Sequence, residues 1–519
     1  MLVSMLGVGV ATAASSRWWS RVEFLASDAM LGRQTGSPTH RVAAEYVAAE
    51  FRSAGLEAAG TDGYFQPIGF RSRRIIEAQS SLALVRNGRS EPLSLGADAN
   101  VSMRVDPAAA VDAPLVFVGH GLKIPELKID DLTGVSLKGA VVVYLSGTPP
   151  ALSGALQAHF NSNAERWRMY REAGAIGTIA LARPVTMEIP WERATLARLQ
   201  PQMSLADPAL DEYPDQQIAL TWNPARAERL FAGSGHTFAE LLELADADRP
   251  LPHFPIPARV KASVSAERST LESQNVAGIL RGADPRLRDE FVVVSAHLDH
   301  IGSGPAINGD AIYNGAMDNA SGVAALLEVA LRLHEEGARP ARSLLFLAVT
   351  GEEEGELGSR YFIHHSTVPR AQIVADVNID MFLPLFPLKT LMVLGLDESD
   401  LGRDIRAVAA AMGVGVQADP EPRRLRFIRS DQYSFVTAGI PALAMKVGYD
   451  PGTPEAATAA KWTAGRYHAP SDDPQQPVDL AAGDRYIDAV RALAVAVANR
   501  PDRPAWVDGS VFKRFQGID

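Results

Sequence analysis

At 519 residues, 47% of them hydrophobic and 21% charged, the chain is long enough for several domains and too apolar for disorder. Its 50 basic against 61 acidic residues leave a formal net charge of −11, with no Lys/Arg cluster to attract nucleic acid. The absence of cysteine removes disulfides, thiolate metal sites and cysteine nucleophiles together, so any metal must be held by imidazole and carboxylate, a donor set suited to zinc or manganese.

The first residues, MLVSMLGVGVATAASS, are apolar and end in small side chains, the pattern of a secretory h-region with a cleavage site around Ala11–Ala14. A signal peptide over residues 1–15 is therefore expected, with a secreted or periplasmic destination; its missing basic n-region is what a truncated start would leave. No other apolar run approaches the roughly 18 residues that span a bilayer, so no membrane association of the mature form is expected.

Residues 17–70 read as helix and then extended chain. Within His40–Gly55 the apolar positions Val42, Ala43, Tyr46, Val47 and Phe51 recur at helical spacing, and Gly55 is placed to stop that helix. From about 106 the texture changes. Ala113–Gly121 and Gly139–Leu145 read as short β-branched strands, Arg166–Gly177 as an amphipathic helix and Thr178–Leu181 as another strand. The following stretch to 260 is Pro-rich, polar and weakly periodic. Residues 106–262 are thus expected to form a mostly β module inserted into a catalytic domain made of 16–105 and 263–505, with 506–519 as a C-terminal tail.

From about 272 the pattern becomes strand, loop and helix in repetition. Phe291–Ala296 is a continuous apolar run, as in a strand buried on both faces. A helix follows over Ser321–Glu336, then a strand over Ser343–Val349 and a helix from Leu357. Strands are also expected at Ile373–Ile379, Thr390–Leu394 and Ala442–Val447. This alternation predicts an α/β sheet with helices on both faces.

Functional groups in such sheets collect where strands end. Here His297 and Asp299 follow one strand, Asp318 precedes a helix, and Glu352, Glu353 and Glu354 follow the next strand. Asp380 ends another, and His468 lies in RYHAPSDD. Any one of these would usually be a hydrogen-bonded structural residue, and three adjacent glutamates usually a solvated turn. Their coincidence on successive elements points to chemistry. Two divalent ions close together need a bridging carboxylate and terminal N/O ligands on each side. Five ligands would provide one bridging aspartate, with one histidine and one carboxylate for each ion. Of the neighbours Glu352 and Glu353, whose side chains diverge in an extended segment, one can ligate while the other takes a proton from water. Asp299, two residues beyond His297, is placed to accept the second imidazole N–H.

The segments VVVSAHLDH, YNGAMDNASG, AVTGEEEGELGS, NIDM and RYHAPSDD, in this order, resemble the M28 family of zinc peptidases, and LASDAMLGRQTG, DGYFQP and RSDQYSFVTAGIPAL extend the similarity. The resemblance implies a phosphorylase/hydrolase-like mixed sheet, two Zn2+ ions or other divalent ions, and hydrolysis of peptides from the N-terminus. It implies His297 and Asp380 on one ion, Glu353 and His468 on the other, Asp318 as the bridge and Glu352 as general base. The inserted module, with VFVGHG and LKGAVVVYL, looks like the protease-associated domain of some members. Two positions depart from the pattern: Glu356, where an aliphatic residue is common, and Gln432 in R-S-D-Q-Y, where many members have histidine. Carboxypeptidase or dipeptidase action on the same fold remains an alternative. A one-metal cyclase or a non-catalytic receptor fits less well with all five ligands and the base present. No G-x-S-x-G or H-E-x-x-H occurs, which disfavours a serine hydrolase and a single-zinc helix-borne site.

Overall fold

The computed structural model describes residues 16–149 and 154–517; the expected signal peptide over 1–15 lies outside the described residues. The runs Phe291–His297 and Ser343–Val349 are buried at every position and lie side by side inside a ten-stranded sheet. Its order is Gln202–Leu205, Phe65–Ile75, Ala266–Leu280, Ser343–Val349, Phe291–His297, Ile373–Asn378, Ala442–Val447, Thr390–Leu394 and Gly415–Gln417, with Glu57–Ala58 also on Ala266–Leu280. Phe291–His297 runs parallel to both of its neighbours. Phe65–Ile75 and Ala266–Leu280 run antiparallel, so the sheet is mixed.

Successive side chains of a strand point to opposite faces. Val292 and Val294 accordingly pack in one core with the helices Ser321–Glu335 and Leu480–Ala498. Val293 joins Phe362, Phe435 and Val436 in another. Each such side chain contributes roughly 1.5–3 kcal/mol relative to exposure, which fixes the strand register and therefore where each strand ends. The helix expected from His40 runs Pro38–Ser53. Proline stands in its first turn, and the Ser37 hydroxyl accepts from the His40 N–H at 3.0 Å.

A second sheet of eight strands has its own cores on its two faces. It contains Ala110–Val118, Val141–Leu145 and Gly177–Leu181, close to the expected strands. The boundary expected at 106 is displaced, however. Ser81–Arg86 pairs with His253–Ser263, and Ala99–Val101 with Ile218–Trp222, so the module begins near residue 80. The change of texture at 106 marks a loop between two strands of the module rather than its entrance.

Two further segments differ from expectation. Gln202–Leu205 leaves the module and pairs with Phe65–Ile75 at the edge of the ten-stranded sheet. The residues expected as a tail are packed: Trp506 and Phe512 are buried with Ile428 and Phe435. No helix among the described residues is long and apolar enough to cross a membrane.

Candidate metal centre

The strands Phe291–His297, Ser343–Val349 and Ile373–Asn378 end on the same side of the sheet because they are parallel neighbours. Their ends carry His297, the Glu352–Glu354 turn and Asp380. Asp318 reaches the same place from the loop before Ser321–Glu335, and His468 from the loop after Pro454–Arg466. All five candidate ligands and Glu352 thus converge.

Asp318 stands between two groups. Its Oδ1 lies 3.3 Å from His297 Nε2, which is also 3.4 Å from Asp380 Oδ1 and 3.9 Å from Glu352 Oε2. Its Oδ2 lies 3.3 Å from His468 Nε2, which is 3.2 Å from Glu353 Oε2. Donor atoms of His297, Glu352 and Asp380 fall within 4.8 Å of one another, and those of His300, Asp318 and Glu353 do the same.

Supporting groups fix these side chains. The carboxylate of Asp472 accepts from the main-chain N–H groups of Met317 and Asp318, each at 3.0 Å. Asn319 donates to Ile379 O at 2.8 Å, and its Oδ1 accepts from Met381 N at 3.2 Å, tying the Asp318 loop to the Asp380 loop. Arg33, wholly buried, donates to the carbonyls of Leu25, Leu298, Asn314 and Gly315, so the N-terminal segment clamps two ligand-bearing loops. Gly315 allows close packing there: with φ +61°, a Cβ would stand 2.1 Å from Asp318 O and 2.5 Å from the His300 ring.

Asp299 differs from its expected role. His297 Nδ1 meets the main-chain carbonyl of Asp299 at 3.1 Å, not its carboxylate. The carboxylate accepts instead from the N–H groups of Glu352 at 3.2 Å and Glu353 at 3.3 Å, and from the Thr35 hydroxyl at 3.1 Å. The extended backbone puts the carbonyl beside the ring, leaving the side chain free to hold the glutamate turn. Gln432, one of the two departures from the family pattern, is buried between Asn378 and the Phe427 carbonyl.

The charges of the site are interlocked. Burial lowers the His297 imidazole, but Glu352, Asp318 and Asp380 outweigh it and hold it well above its ordinary value. Against the same effect of burial, Glu353 and Asp318 raise His468 to about 10. Burial would raise Asp318, yet His297 and His468 draw it well below the usual carboxylate range. Glu352 is pushed well above its ordinary value by burial, with Asp380 and Asp431 adding to the rise. So much buried carboxylate around two imidazoles demands positive charge.

The residues fit a metal. His300, absent from the expected ligand set although it closes the H-L-D-H motif, is buried with neither ring nitrogen hydrogen-bonded. Its Nδ1 lies 2.5 Å from Glu353 Oε1, close enough for an ion pair but off the directions of a hydrogen bond, so Glu353 Oε1 is also unsatisfied. Orphaned donor atoms beside the Asp318 carboxylate, with no thiolate present, are what an oxygen- and nitrogen-ligated divalent ion would satisfy.

The fold and these paired clusters define an α/β protein with a carboxylate–imidazole metal-type centre at the ends of parallel strands. Residues 275–494 match the model described as peptidase family M28. Leupeptin-inactivating enzyme 1 of Streptomyces exfoliatus is 32% identical over 217 residues, covering 40% of this chain and 45% of that protein. A probable glutamate carboxypeptidase of Zea mays is 26% identical over 370 residues, covering 66% of this chain and 47% of its own length. The chain thus spans less than half of either curated relative. The aminopeptidase from Aneurinibacillus sp. strain AM-1 superposes with a TM-score of 0.57 at 19% identity, covering 94% of both chains, and shares the fold.

Proposed function

We propose that the chain is a two-zinc exopeptidase that removes residues from the N-terminus of peptides. The carrying observation is Asp318, whose two oxygens face separate groups, His297 with Asp380 and His468 with Glu353. His297 with Asp380 and His468 with Glu353 would hold one ion each, which would supply Lewis acidity toward a peptide carbonyl and water. Glu352 would take the proton of the attacking water at its carboxylate and deliver it to the leaving amine nitrogen. Asp299 would keep Glu352 and Glu353 in register by holding their main-chain N–H groups.

The adjoining cleft favours an amino- over a carboxypeptidase. Leu383, Leu385, Phe386, Met392 and Val447 offer an apolar wall for a side chain. The cations around it are committed: Arg424 and Arg429 to Glu188, Arg426 to Asp419 and Glu421, and Lys446 to the carbonyls of Asp380 and Met381. Three of these four cations are thus paired with carboxylates of the protein, which leaves less positive charge for a substrate's C-terminal carboxylate. The apolar start of the chain supports export, and the eight-stranded module supports a protease-associated type of domain.

The test is hydrolysis of aminoacyl anilides and N-blocked peptides, before and after chelation and Zn2+ return. Loss with chelator and recovery with about two Zn2+ per chain are expected, the ratio following from the two donor groups. Glu352→Gln should lower kcat by roughly 100-fold or more. Full activity of that variant, or preference for blocked peptides, would overturn the reading.

A further inference from the structure

The turn that carries Glu352 and Glu353 is gripped from its far side by two excursions of the second domain toward the main sheet. Arg104, just after the module strand Ala99–Val101, donates from Nη2 to the Glu353 carbonyl at 2.6 Å. Its guanidinium also covers the turn: a Cβ on Gly355, at φ +104°, would stand 3.4 Å from Nη1. Met203, on the strand that crosses back to the main sheet, donates its N–H to Glu354 Oε2 at 2.9 Å. The two passages are bound to each other, since Gln202 Oε1 accepts from the N–H of Met103 at 2.6 Å and of Arg104 at 3.1 Å. Arg73 of the main sheet secures both, through the Met103 carbonyl at 3.3 Å and the Ser204 hydroxyl at 3.0 Å.

Glu354 is consequently not a solvated member of an acidic run. Its Oε2 is engaged by the module's returning strand. On the other side the turn rests on Asp299. It is therefore held between the main domain on one side and these two excursions of the second domain on the other.

We infer that Arg104 and Glu354 are positioning residues: through the Glu353 carbonyl and the Met203 N–H, two excursions of the second domain set the placement of Glu352 and Glu353. This rests on the proposed roles of those two glutamates as base and ligand. A charge-assisted bond from Arg104 to the carbonyl of a ligating residue fixes the peptide plane that joins Glu353 to Glu354, and with it the end of the turn that Glu352 begins. The second domain thereby acts on the chemistry without placing a side chain among the reacting atoms.

The test uses the full-length chain and the variants Arg104→Gln, Arg104→Lys, Glu354→Leu and Glu354→Gln. Zn2+ affinity is measured by competition with a chelating dye, and kcat and KM with leucine p-nitroanilide. Arg104→Gln and Glu354→Leu should each weaken Zn2+ binding and lower kcat by about 10-fold or more, with KM changed by less than about twofold, as for other groups that orient metal ligands. Arg104→Lys, which keeps the charge, and Glu354→Gln, which keeps an acceptor, should recover part of both. A merely structural role would lower the melting temperature and leave the affinity of the folded fraction intact. Wild-type Zn2+ affinity and kcat in both Arg104→Gln and Glu354→Leu would overturn the inference. Should one of them fail to fold, the other and Arg104→Lys decide it. If the wild-type chain binds Zn2+ but cleaves no anilide, the proposed function fails, while the affinity comparison still judges the positioning roles.

Discussion

Removing the carboxylate of Asp472 should damage the centre without touching any ligand. Its two oxygens hold the N–H groups of Met317 and Asp318, and Gln476 donates to it from the other side. In Asp472→Ala both main-chain N–H groups lose their acceptor in a site closed to solvent, where Asp472 is 0% and Asp318 3% exposed. An unsatisfied buried N–H costs about 1–3 kcal/mol, so two of them imply roughly 2–6 kcal/mol, with entering water drawing the value toward the lower end. The freed loop would also cease to hold both Asp318 oxygens toward their groups, and Zn2+ affinity should fall about 10- to 100-fold. Urea unfolding of the metal-free chain reads the first effect, and chelator competition the second. A variant that unfolds at the wild-type urea concentration and keeps wild-type Zn2+ affinity would refute the reasoning.

Two other perturbations follow from the geometry. Glu328 is shared by Arg17, Arg21 and Arg332, which pull its carboxyl to about 2 against the effect of burial. Because this pKa is depressed, the stabilisation is present above the unfolded value near 4.5 and is lost as the pH falls toward about 2. Discounted for the solvent around half-exposed Arg17, it amounts to about 2 kcal/mol at neutral pH. The stability difference between wild type and Glu328→Gln in urea should therefore shrink from pH 5 to pH 3; a difference constant over that range would contradict it. Gly315→Ala should cost at least about 2 kcal/mol and reduce Zn2+ loading, since its methyl would collide with the Asp318 carbonyl. A wild-type melting temperature in that variant would show the collision to be absent.

Much of the main domain was legible because its central strands are unbroken apolar runs, and such runs end where polar ligands can begin. Ser343–Val349, Thr390–Leu394 and Ala442–Val447 stand where they were expected. The residues that make the centre rigid were not legible in this way. Asp472 serves a peptide 155 positions earlier, and Arg33 a carbonyl 281 positions later, so no local period marks either. His300 did carry a local signal, as the second histidine of H-L-D-H. The strands before residue 106 carried one too: Leu82 and Leu84 alternate with more exposed neighbours, a pattern weaker than a continuous run and half hidden by the turn at Asn87–Gly88. Asp299 shows the finer limit: spacing placed it beside His297, but only the folded backbone decided that its carbonyl, rather than its carboxylate, would face the ring.

The clamp formed by Arg33 and the cradle formed by Asp472 draw on opposite ends of the main domain. A chain emerging from the ribosome would present His297, Asp318, Glu353 and Asp380 well before Asp472, and His468 arrives only four residues ahead of it. The centre therefore cannot be completed by a partial product. A centre assembled in this order is completed only once residues 468–472 have been made, so its two halves meet at the end of synthesis and not during it.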